Sequence, residues 1–124
     1  MARVLINLPS RAKRGEVIEI KTLIAHPMET GYRLGPTGAV IPRDIINRFT
    51  CTYNGQEVFR ATLSPAIAAN PFITFCTVAT ESGTFEFHWS GDNGFAQTER
   101  GELAFSWTDD HGQTQTEVRQ ITVE

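Results

Sequence analysis

The strongest nucleophile in this chain is cysteine, which occurs twice, as Cys51 and Cys76. A thiol could carry sulfur or exchange disulfides, but only as a thiolate, which a neighbouring cation favours and apolar burial disfavours. Cys51 alternates with Phe49 and Tyr53, and Cys76 lies within Phe-Ile-Thr-Phe-Cys-Thr-Val, which contains no cation. Both read as inert core thiols, with a Cys51 to Cys76 disulfide left open. They lack the CxxC and Cys/His spacings of a zinc site. His26, His88 and His111 are far apart in sequence and none stands at i, i+2 or i, i+4 from a second ligand on a shared face. No metal or cofactor is expected. No Gly-x-Ser-x-Gly elbow and no glycine-rich turn leading into a helix is present, so hydrolase and nucleotide chemistry have no support. Trp89 and Trp107 could form a sugar-stacking shelf, but each continues an alternating apolar face, which favours the core. No catalytic residue emerges, and the chain does not read as an enzyme.

What remains is recognition. The segment from His26 to Arg43 contains Pro27, Gly31, Gly35, Pro36, Gly38 and Pro42 between two confident strands. A loop of that length in a small domain is usually either functional or mobile. Its His26, Met28, Glu29, Arg33 and Arg43 form a polar set with one adaptable apolar residue, and Met and Arg are enriched at protein interfaces. These five are the candidate partner contacts. Met28 and Arg43 are expected to serve binding more than folding.

The elements that would hold such a loop are strands. Period-two alternation recurs throughout, bounded by Gly, Pro, Asn and Asp, as in an antiparallel sandwich or barrel. Val4, Ile6 and Leu8 mark a strand ending at Pro9. A second runs from about Glu16 to Ala25, with Ile18, Ile20 and Ile24 on one face and Glu19 and Lys21 on the other. A third, Ile46 to Tyr53, turns Phe49, Cys51 and Tyr53 to one side. Asn54-Gly55 then closes a type I′ hairpin onto Glu57 to Leu63, because both turn positions must accept positive φ. Ser64 to Pro71 is a connection with room for one helical turn, followed by a strand from about Phe72 to Thr80. His88 should face outward between Phe87 and Trp89, and His111 should sit in a turn.

The C-terminal third repeats itself at a shift of eighteen residues, matching Gly83/Gly101, Phe87/Phe105, Trp89/Trp107, Asp92/Asp110, Gly94/Gly112, Gln97/Gln115, Thr98/Thr116 and Glu99/Glu117. Residues 100–124 therefore read as a near-duplicate of the 83–99 hairpin, added at a sheet edge.

At 124 residues the chain fits one domain over residues 1–124, and 40% hydrophobic with 20% charged residues is an ordinary globular balance. A net charge of −3 without a basic stripe argues against nucleic acid as partner. Arg11 to Arg14 reads as a solvated turn. No run approaches the ~18 apolar residues of a membrane span, and no secretory apolar region precedes Pro9.

Two long segments, Gly15 to Gly31 and Ile41 to Gly55, resemble the SoxZ family, as do Ala69-Asn70-Pro71-Phe72 and Glu81-Ser82-Gly83-Thr84. The resemblance covers roughly residues 3 to 99. It implies an immunoglobulin-like antiparallel β-sandwich that pairs with SoxY, whose C-terminal Gly-Gly-Cys-Gly-Gly arm bears the sulfur substrate in thiosulfate oxidation. This chain ends Gln-Ile-Thr-Val-Glu and has no such arm. The resemblance thus implies a non-catalytic scaffold in a heterodimer or higher assembly that meets other Sox enzymes transiently. It also implies a periplasmic location reached by co-export with a partner that carries the signal. An independent sulfur acceptor using Cys51 or Cys76 is the alternative. The second hairpin departs from the family, whose chains stop after one Phe-x-Trp strand and turn.

Overall fold

The structure is a computed structural model that describes residues 2–105 and 118–123. Nine strands are assigned: β1 (Val4–Pro9), β2 (Arg11–Ala12), β3 (Val17–Ile24), β4 (Ile46–Tyr53), β5 (Gln56–Thr62), β6 (Phe72–Val78), β7 (Gly83–Gly91), β8 (Ala96–Phe105) and β9 (Val118–Val123). They form two sheets, one ordered β6-β3-β1-β9 and the other β2-β8-β7-β4-β5. Every pairing is antiparallel except the short parallel contact of β2 with β8. Of the sandwich or barrel that the alternation allowed, the architecture observed is the all-β sandwich that the resemblance implied.

Alternation also assigns the buried faces. Val4, Ile6 and Leu8 of β1, with Ile18, Ile20 and Ile24 of β3, line one inner face. Phe49, Cys51 and Tyr53 of β4, with Phe85, Phe87 and Trp89 of β7, line the other. Ile46 joins this second face although it is three residues from Phe49. A register shift between Ile46 and Arg48 inserts the extra residue that restores its parity. Asn54 (φ 52°) and Gly55 (φ 83°) make the two-residue turn between Tyr53 and its partner Gln56, as the Asn-Gly pair predicts.

Four expectations need correction. The described parts of residues 100–124 pair with other strands rather than with each other. Gly101 and Leu103 belong to β8, the return strand of the first hairpin, while β9 crosses to the other sheet and pairs with β1. Trp107, His111 and the repeated turn lie outside the described residues. Second, Cys76 is exposed. Both faces of β6 are apolar in sequence, so its parity was unreadable, and pairing with β3 turns Phe75 inward and Cys76 outward. Third, Arg11–Ala12 is a short strand rather than part of a solvated turn, and Ala12 is buried. Fourth, the 64–71 connection holds a hydrogen-bonded turn, with Ile67 N–H donating to the Ser64 carbonyl, and no helix.

One buried polar group ties the hairpin to the strand connection. The Tyr53 hydroxyl donates to the Glu81 carbonyl and accepts from the N–H groups of Glu81 at 3.0 Å and Thr80 at 3.3 Å. Removing the oxygen leaves these backbone groups short of partners in a mostly buried site. Tyr53→Phe is expected to lower stability by about 1–3 kcal/mol in urea unfolding, without loss of the sheet signal in circular dichroism.

Candidate functional site

The connection between β3 and β4 folds as a ladder rather than a coil. At its base Glu29 and Asp44 exchange both backbone hydrogen bonds, each at 2.8 Å. Further out Leu34 bridges Val40, with Gly35 N–H to the Ala39 carbonyl at 2.7 Å and Ile41 N–H to the Arg33 carbonyl at 2.8 Å. These bonds give the segment a defined direction despite its glycines and prolines.

Three anchors fix the ladder to the sandwich. Arg43 sets Nε and Nη2 on the two carboxylate oxygens of Asp92, both at 2.8 Å, a bidentate geometry that fixes orientation as well as distance. Asp92 opens the 3-10 turn (Asp92–Gly94) between β7 and β8, and its Oδ2 also accepts the Ile45 N–H at 3.1 Å. The hydrogen bond from Arg43, and then that from Ile45, hold the Asp92 carboxyl below the usual carboxylate range. The approach is close: any Cβ at Gly91 would collide with the Ile45 backbone. Second, His26 is buried and its Nδ1 accepts the Met28 N–H at 3.0 Å, so the neutral ring carries its proton on Nε2. His26 backbone groups are bonded to Asn70, through N–H to Asn70 Oδ1 at 2.9 Å and through the carbonyl to Asn70 N–H at 2.8 Å. Third, Met28 enters the core with φ 52° and its sulfur accepts the Ile46 N–H at 3.3 Å.

The five sequence candidates therefore divide. His26 and Met28 are buried anchors and not surface contacts, which corrects their assignment; a Gly/Pro-rich loop still has to insert side chains to hold its shape. Glu29 is largely covered, and both of its oxygens are engaged by Arg33, whose Nη2 lies 2.6 Å away. That hydrogen bond lowers the Glu29 pKa. Arg33 and Arg43 remain partly exposed at the rim. What the sequence reading passed over is the apolar tip. Tyr32, Leu34 and Val40 are 82%, 62% and 57% exposed on this pinned ladder. Their only signal in sequence was apolar character without periodicity. Exposed apolar groups on a rigid support, rimmed by charge, suit protein recognition.

No acid/base or nucleophilic constellation accompanies the tip. Burial pushes the Cys51 thiol up to about 12, so it is protonated at neutral pH. Among the described residues no three His, Cys, Asp or Glu side chains gather where a metal could bind. Likewise, no helix is long and apolar enough to cross a membrane.

Two mutations separate anchor from rim. Met28→Ala removes a buried side chain and is expected to cost about 2–5 kcal/mol in chemical denaturation. Arg43→Ala is expected to act mainly through pH. Because the folded-state pKa of Asp92 is depressed, its contribution is present above the ordinary carboxylate value and is lost as pH falls through the depressed one. The variant's stability profile should lose that acid limb.

Comparison with known proteins fits the architecture. A superoxide reductase (neelaredoxin) from Ignicoccus hospitalis superposes with a TM-score of 0.65 at 16% identity, over 83% of this chain and 80% of that one. A putative superoxide reductase from Thermotoga maritima gives 0.63 at 15% identity, over 82% and 84%. The sulfur carrier protein SoxY from Chlorobium limicola f thiosulfatophilum gives 0.60 at 9% identity, over 84% and 79%. At these identities the likeness is one of fold. Among curated proteins none matches significantly in sequence. The family model described as Sulphur oxidation protein SoxZ, however, matches residues 6–100, most of the β-sandwich, and the chain belongs to the SoxZ family.

Proposed function

We propose that this chain is the non-catalytic subunit of a covalent sulfur-carrier heterodimer in periplasmic thiosulfate oxidation. It packs against a SoxY-type chain, whose terminal cysteine arm bears the substrate, and helps present that arm to the Sox enzymes. The observation that carries the reading is the family match over residues 6–100. The pinned loop supports it: Tyr32, Leu34 and Val40 form an apolar centre, with Arg33 and Arg43 at its rim. Because the ladder is already hydrogen-bonded in the free chain, little conformational entropy remains to be lost on docking.

Mixing the purified chain with its SoxY-type carrier should give an equimolar heterodimer by light scattering. Tyr32→Ala is expected to weaken that complex by about 2 kcal/mol, roughly thirtyfold, while leaving thermal unfolding unchanged. A chain that stays monomeric beside the carrier at micromolar concentration would overturn the proposal.

A second reading, direct sulfur acceptance, rests on the exposure of Cys76. Cys51 no longer fits it, since its buried thiol is held protonated. A thiol reagent at neutral pH should modify Cys76 in the native chain and Cys51 only on unfolding. A stable sulfur adduct on Cys76, recovered from the chain alone after growth on thiosulfate, would favour direct acceptance over partnership.

A further inference from the structure

The four ends of the two sheets are not equally protected. β5 carries the exposed Glu57–Arg60 ion pair and a register shift against β4 between Cys51 and Thr52. β2 is only two residues long, and β9 contains Arg119. β6, by contrast, is Phe-Ile-Thr-Phe-Cys-Thr-Val, without charge, proline or glycine, and it pairs with β3 in unbroken register from Phe72 to Val78. Folded proteins blunt exposed edges with charge, proline, bulges or shortness, and β6 uses none of these. Left open, such a segment is an aggregation hazard.

The hydrogen-bond phase shows which groups it offers. Ala79 N–H donates to the Glu16 carbonyl at 2.8 Å, and Ile24 N–H donates to the Pro71 carbonyl at 3.2 Å. In an antiparallel ladder hydrogen-bonded pairs alternate, so Ile73, Phe75 and Thr77 also bond β3. The N–H and C=O groups of Phe72, Thr74, Cys76 and Val78 point to the open side, where no described residue meets them. At the Val78 end of this edge, between β5 and β6, lies a groove of about 460 Å³ lined by apolar (Tyr53, Val58, Val78) and polar (Gln56, Thr77, Glu81) side chains.

We infer that β6 accepts an extended, uncharged edge strand of the sulfur-carrier partner, which continues the β6-β3-β1-β9 sheet by β-strand addition. The inference rests on the partnership proposed above. Four alternating donor and acceptor pairs at an extended spacing are complementary to peptide backbone in a strand, and to no helix or lipid surface. The groove receives the inward side chains of the added strand. A sandwich of the kind that SoxY shares with this chain ends in edge strands of its own. The surface is also continuous with the loop base, because Asn70, two residues before β6, is hydrogen-bonded to His26.

Residue-resolved amide hydrogen exchange on the full chain, free and with the purified carrier, tests this. In the free chain the amides of Ile73, Phe75 and Thr77 should be slow and those of Thr74, Cys76 and Val78 fast; in the complex the second set should become slow as well. Thr74→Pro removes an edge donor without touching a β3 bond, and should weaken the complex about tenfold or more while the Ile73, Phe75 and Thr77 amides stay protected. If a complex forms and Thr74, Cys76 and Val78 remain fast, strand addition is overturned while the partnership stands. If no complex forms, the partnership itself falls and the inference with it. Protection of the same amides in the free chain, with the mass of a homodimer, would assign the edge to a second copy and overturn the partner strand.

Discussion

The sandwich depends on one aromatic contact across its middle. Phe49 of β4 is fully buried, and its ring meets Trp89 at 5.1 Å and Phe87 at 6.4 Å within its own sheet, Phe59 at 6.0 Å on the neighbouring strand, and Phe75 of the opposite sheet at 6.1 Å. Large rings bury more apolar surface per residue than any other side chains, so this junction sets the separation and alignment of the two sheets. The position of β6 follows from it, because Phe75 must face inward to complete the cluster. Once Phe75 is inward, Cys76 is outward and the backbone of Phe72, Thr74, Cys76 and Val78 faces the open edge. The exposure of a thiol and the availability of a strand edge are thus consequences of core packing.

The loop depends on a different kind of interaction. Apolar burial is non-directional and could hold a segment near the sandwich without fixing its orientation. The bidentate Arg43–Asp92 pair, the His26–Asn70 exchange and the Met28 peg supply the direction. Polar residues that would have been natural contacts for a partner are instead occupied inside the chain. The exposed apolar surface of the loop belongs to Tyr32, Leu34 and Val40. This division explains how a loop rich in glycine and proline keeps one shape.

Both surfaces suit contact with another protein. The cysteine in the core is held protonated by its surroundings, Glu29 is paired with Arg33 inside the loop, and Arg43 is paired with Asp92 of the β7–β8 turn. Neither arrangement prepares a group for chemistry, and both leave backbone and apolar area free for contact.

Strand identity, inner faces and the Asn54-Gly55 turn were legible in the sequence because they are local. Alternation with period two, and the need for positive φ at two successive positions, are written residue by residue. Family membership was legible in the segments Gly15 to Gly31 and Ile41 to Gly55. Three things needed tertiary structure. The parity of β6 is ambiguous when both of its faces are apolar, and only its register with β3 resolves it. The pairing of β9 with β1 joins strands near opposite ends of the sequence, which no local pattern describes. The split of the loop into buried anchors and an exposed tip turns on Asn70 and Asp92, which lie 44 and 49 residues from His26 and Arg43, the residues they hold. Sequence patterns report which face a residue prefers, whereas contacts over such separations exist only once the two sheets have packed.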